Sequence, residues 1–175
     1  MSSKKRIKNS NMKNKDLYAL RDGINQVSHL GGADFAIAVI KNLKLVEKEI
    51  EVLDAIIKPA KDFEEKYQPE IEKTARIYCK KDERGNPQPR ITRSGQALFE
   101  FTAEGKVDFD KAIATLEKKK EFVEIVKFRK DQEAKFEEVL EKESIIPFIK
   151  VKKEFIPKDI KIGELNSIYL ILDDL

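Results

Sequence analysis

The chain has 175 residues, enough for one domain with one buried core, and no run of about 18 apolar residues that would span a membrane. Charged residues make up 38% and hydrophobic ones 41%, so a core forms beneath a densely charged surface. The single cysteine, Cys79, excludes an intramolecular disulfide, and a lysine-rich chain with one thiol fits the cytoplasm.

Net charge is only +3, but it is unevenly spread. Residues 1–15 carry Lys4, Lys5, Arg6, Lys8, Lys13 and Lys15 with no acid, which leaves the remainder at −3. No apolar stretch follows these charges, so they do not read as a secretory leader. Residues 1–12 lack periodicity and are expected to be a disordered basic arm, with 13–175 forming a single α-rich domain. The sharper reading of the arm is a contact to nucleic-acid phosphates or an acidic partner.

Leu17, Leu20, Ile24 and Val27 recur at helical spacing, with Asn14 or Asp16 as cap and Gly31-Gly32 as breaker. The strongest pattern follows. Ala36, Val39, Leu43, Val46, Ile50, Leu53 and Ile57 alternate at spacings of three and four, an apolar seam on one helix face. Ile40, Ile56 and Phe63 widen it. Phe63, Tyr67, Ile71 and Tyr78 extend the seam past Pro59, which predicts a kink there rather than a stop. Pro69 suits a first helical turn.

From Lys80 the pattern changes. Asp82 to Pro89 is dense in turn formers, and Leu98, Phe99 and Phe101 lie in a β-prone run, so a short hairpin is expected. Asp108 is then a plausible cap for a helix over about Phe109 to Glu141, whose stripe is interrupted by Lys118-Lys119-Lys120. Ile145 to Val151 reads as a strand able to pair with the stretch near 90–101. Leu165, Ile168, Tyr169 and Leu172 suggest a short terminal helix. The sum is a mostly α, α+β fold: a long kinked antiparallel helical hairpin with a small β element at one end. Helices of that length bury more easily against a second copy or a partner, which predicts a homodimer or a complex.

The pattern of reactive residues points to no catalytic, metal or cofactor site. One histidine, His29, and one cysteine supply too few zinc ligands, and Gly31-Gly32 lacks the strand and Lys-Ser/Thr of a phosphate loop. Ser28-His29 is no catalytic pair, since helix neighbours point in different directions. A basic segment is less easily dismissed. Arg76, Lys80, Lys81, Arg84, Arg90 and Arg93 face only Asp82 and Glu83, with Tyr78, Phe99 and Phe101 nearby. Cations neutralise phosphates and aromatics stack on unpaired bases, so nucleic acid is one reading. A soluble hairpin whose phenylalanines join the core is the other.

Lys41-Asn42-Leu43-Lys44 leading into Val46 to Glu51, then Tyr78 to Pro87, then a closing aliphatic segment ending in Asp173-Asp174, is an order of features similar to a family of small phage proteins of unknown function. The resemblance spans about residues 33–175 and departs at Cys79 and at the stretch Ile91 to Gly105. It implies viral origin and carries over no catalytic residue. The expectation is a non-catalytic phage accessory protein in the host cytoplasm that binds a protein, its own copy or a host defence protein. Nucleic-acid binding and a role in the virion are the alternatives.

Overall fold

The structure is a computed structural model and describes residues 10–91 and 97–173. It is mostly helical with small antiparallel strand pairs, the α+β class that the sequence predicts. The described residues form strand β1 (Ser10–Lys13) and helices α1 (Asp16–Val27) and α2 (Ala33–Ile57). Then come α3 (Gln68–Tyr78), β2 (Pro89–Ile91), β3 (Ala97–Phe99), α4 (Ala103–Leu116), α5 (Val123–Leu140), β4 (Glu143–Ile146) and α6 (Ile162–Ser167). They divide into two compact units: one takes the residues up to Lys58 together with those from Ala134 on, the other spans Pro59–Glu133.

In the first unit, Leu17, Leu20, Ile24 and Val27 of α1 are buried against α2, as their spacing predicts. Gly32, at φ +105, takes the left-handed conformation that ends the connection, and α2 begins at the next residue. Val39, Val46, Ile50 and Leu53 of the predicted seam are buried, while Ala36, Leu43 and Ile57 are half-buried. Ile40 is a correction: it is 52% exposed. At about 100° per residue, Asn42, Val46 and Leu53 fall within about 20° of Phe35, and Ile40 lies about 140° from it. The buried face is therefore centred on Phe35 and Asn42, with Ala36 and Leu43 on its flank.

Asn42 is fully buried. Its Nδ2 donates to the Ile149 carbonyl and its Oδ1 accepts from the Ile149 N–H, each at 2.8 Å. One amide thus satisfies both main-chain groups of a residue in the C-terminal segment. That segment closes the core with Ile146, Phe148, Val151, Ile168, Ile171 and Leu172. The Val151 N–H donates to Ile171 and the Asp173 N–H to Val151, both at 2.8 Å, a parallel bridge. Glycine at 23 lets α1 meet α6 closely, since a Cβ there would lie 2.6 Å from the Ser167 carbonyl oxygen.

The predicted disordered arm is corrected over residues 10–12. These belong to β1, which pairs antiparallel with β4 in the register Ser10↔Ile146 to Lys13↔Glu143. Met12 is buried there, and Lys13 and Lys15 hold Glu141 at 2.8 and 2.7 Å. Residues 1–9 lie outside the described residues. β4 therefore does not pair with the stretch near 90–101; that stretch closes on itself as β2 and β3.

The second unit opens with another correction. α2 stops at Ile57 instead of kinking, because Pro59 disfavours helical backbone at the residue before it, and Lys58 sits at ψ +124. The chain re-enters through a π-helical turn, Phe63–Tyr67, and Pro69 falls in the first turn of α3 as expected. The helix after the hairpin starts at Ala103, earlier than predicted, because Thr102 caps it: its hydroxyl accepts the Gly105 N–H at 3.0 Å. Gly105 lies inside α4, where a Cβ would come within 2.5 Å of the Tyr78 carbonyl oxygen of α3. Glu117 to Phe122, with the exposed Lys118, Lys119 and Lys120, separates α4 from α5. Each predicted arm of the long hairpin is thus divided in two. Tyr67, Leu116, Phe122 and Val126 form the small core, with Tyr67 set 5.4 Å from Phe63 and 5.3 Å from Phe122, centroid to centroid.

Candidate functional site

The basic segment singled out in the sequence emerges from the end of α3. Cys79 is buried, as a small hydrophobe would be, and its Sγ lies 3.6 Å from the Arg76 carbonyl. Lys80 then runs between two strands of chain: its N–H donates to Glu100 at 2.7 Å and its carbonyl accepts from Gln88 at 3.3 Å. The loop beyond is braced by Asp82. Its Oδ1 accepts the N–H groups of Arg84 at 2.9 Å and Asn86 at 2.8 Å, and the Gly85 N–H donates to the Asp82 carbonyl at 2.9 Å. Those donors, Asn86 foremost, hold the Asp82 carboxyl below the usual carboxylate range. Gly85 takes φ +80, which closes the turn. Lys81 pairs with Pro87, and the chain enters β2.

β2 and β3 place Arg90 directly opposite Leu98, and Pro89 opposite Phe99. Opposed residues of an antiparallel pair share a face, so Arg90 and Leu98 stand on one side and Phe99 on the other. Leu98 is 49% exposed, and Ile91 and Ile77 are also exposed. The Arg76 guanidinium covers the Phe99 ring at 5.4 Å, and Phe101 packs on Phe109 at 4.9 Å. Lys80 pairs with Glu100 at 3.3 Å. Among the described residues, the side chains of Lys81, Arg84 and Arg90 have no hydrogen-bond or ion-pair partner and face solvent.

Arg76, Lys80, Lys81, Arg84 and Arg90 thus lie on α3, the loop and the hairpin, with Arg76 against Phe99 on one side of the strand pair and Arg90 beside Leu98 on the other. Lys4, Lys5, Arg6, Lys8 and Arg93 lie outside the described residues. The exposed aliphatics beside the cations were missed in the sequence, because Leu98 sits in a run that reads as core. The alternation Leu98-Phe99 was the available signal, but which of the two faces inward depends on the hairpin register.

Elsewhere the chemistry is sparse. A cleft of about 420 Å³ in the first unit is lined by Met12, Asp16, Leu20, Asn166, Ser167 and Tyr169 among others. The Ser167 hydroxyl donates to the Glu164 carbonyl at 2.7 Å. His29 is exposed. Among the described residues no three His, Cys, Asp or Glu side chains are grouped to hold a metal ion, and no helix is long and apolar enough to cross a membrane. Comparison with protein-family models, curated proteins and solved structures finds no match to this chain.

Proposed function

We propose that this is a non-catalytic interaction protein that docks a protein partner on the basic and aliphatic surface presented by Lys81, Arg84, Arg90 and Leu98. The observation that carries the reading is the juxtaposition of Arg90 and Leu98 in register, both open to solvent, with Lys81 and Arg84 unpartnered nearby. A surface that mixes free cations with exposed aliphatics suits an acidic protein surface better than a nucleic-acid strand. A strand needs aromatic platforms for its bases, and here Phe99 is covered by Arg76 while Phe101 is engaged by Phe109. The resemblance to small phage proteins extends the proposal: the partner is a host protein, a defence protein among the candidates, met in the host cytoplasm.

A photo-crosslinking residue in place of Leu98, with Lys127 replaced as a control, tests this in bacterial lysate. The expected result is a discrete protein adduct from position 98 alone, lost when Arg84→Glu and Arg90→Glu are combined. The same adducts from both positions, or adducts that survive charge reversal, overturn it. A gel shift with a steep salt slope would instead favour nucleic acid.

A further inference from the structure

We infer that the cleft between α1 and the C-terminal segment of the first unit binds a small primary amine with an apolar body. The cleft holds about 420 Å³, within the size range of small-molecule sites. Met12 of β1 and Leu20 of α1, both buried, supply its apolar lining together with the half-buried Leu170. Ala19 lines it with a single methyl, which leaves that space open. The two walls are fixed before any ligand arrives. α1 meets α6 where Gly23 faces Ser167, so closely that a Cβ at 23 would lie 2.8 Å from the Ser167 Cβ and 2.9 Å from its Oγ. Walls already in contact lose little freedom on binding.

The polar groups decide the ligand. Among the described residues lining the cleft, Asp16 alone carries a charge. Its carboxylate has no hydrogen bond or ion pair among the described residues. The neighbouring cations are engaged elsewhere: Lys13 and Lys15 both hold Glu141, at 2.8 and 2.7 Å, and Lys15 acts on Asp16 through space alone. The Ser167 hydroxyl commits its proton to the Glu164 carbonyl at 2.7 Å, so its oxygen is left to accept. A carboxylate and an accepting hydroxyl call for a donor. A primary ammonium offers three donors, no acceptor and the complementary charge. A quaternary ammonium has the charge without the donors, and an anion would meet a bare carboxylate. The Asn166 amide and the Tyr169 phenol, exposed and without partners among the described residues, can serve either way.

Titrations of the full chain followed by amide NMR test the inference, with phenethylamine, its trimethylated ammonium, phenethyl alcohol and hydrocinnamate as probes. Phenethylamine should give saturable shifts at Asp16, Leu20, Ser167 and Leu170. It should bind about three- to fivefold tighter than the alcohol or the trimethylated probe, the range of a part-exposed charge pair, and hydrocinnamate weakest. Asp16→Asn should bring the amine down to the affinity of the alcohol. Asp34→Asn, at an exposed acid of α2 outside the cleft, should change nothing. Ala19→Leu, at an exposed helical position, should fill the cleft and weaken amine and alcohol alike at least fivefold, with unchanged circular dichroism. No saturable shift in the millimolar range overturns the inference, as do shifts that map elsewhere. So do equal affinities for amine, alcohol and carboxylate, a trimethylated probe that binds as tightly as the amine, or an effect of Asp34→Asn as large as that of Asp16→Asn.

Discussion

Replacing Asn42 by leucine should be among the most damaging single changes in the first unit. Leucine branches like asparagine and is bulkier, so no cavity opens; lost hydrogen bonding dominates, with some overpacking added at this fully buried site. The Ile149 N–H and carbonyl both lose their 2.8 Å partner. An unsatisfied buried main-chain group costs about 1–3 kcal/mol. Ile149 is only half-buried, so the pair should cost about 2–4 kcal/mol rather than the full sum. For a chain of this size that lowers the melting temperature by roughly 4–16 °C. Urea unfolding followed by circular dichroism measures it. Asn42→Asp sharpens the test. Ionised, it repels the Ile149 carbonyl; protonated, it can donate to that carbonyl and accept from the N–H. Burial raises its folded-state pKa, so the folded form binds more protons and the variant should gain stability as pH falls. A leucine variant within about 0.5 kcal/mol of the parent would refute the reasoning, because the amide would then be incidental to holding the C-terminal segment.

Three other outcomes are expected. Gly105→Ala should destabilise the second unit by about 1–3 kcal/mol, because the Tyr78 carbonyl that its Cβ meets is main chain; Gly163→Ala, where nothing lies within 4 Å, should be close to neutral in the same thermal melt. Tyr18, pushed up to about 12 by burial and by its 2.9 Å hydrogen bond to Asp54, should be a late-titrating phenol in an absorbance titration, and Asp54→Asn should lower its midpoint. Because that pKa is raised on folding, its contribution is complete below pH 10 and fades as pH rises through about 12. Glu141, held at about 2 by hydrogen bonds from Lys13 and then Lys15, should titrate there by carboxyl NMR and move upward in Lys13→Met. Its pKa is depressed, so its contribution is present above about 4.5 and is lost as pH falls through about 2; at a solvent-exposed site it should also weaken with salt.

The helices were legible where periodicity is long and local. The seam over α2 needs only 3.6-residue spacing, and Val39, Val46, Ile50 and Leu53 are buried as that spacing requires. Its centre was not legible. Asn42 is polar, and only a main-chain partner 107 residues away makes it a core residue. The stop at Ile57 was available from the proline rule, but the seam beyond it favoured continuation. β1 carries no pattern of its own, since its pairing with β4 is non-local. The candidate site was half legible. Its cations are plain in the sequence, whereas which of them lack partners, and that Leu98 faces outward, follow from the register of a hairpin.

The first unit is assembled from two stretches of chain separated by Pro59–Glu133. During synthesis, α1 and α2 leave the ribosome well before β4, Phe148 and Ile168 exist to cover them. Their greasy faces therefore wait through about 86 further codons for the start of β4 and about 111 for Ile168. Translation arrested after α3 should yield a nascent chain dependent on a holding chaperone, released only once the C-terminal segment has been made.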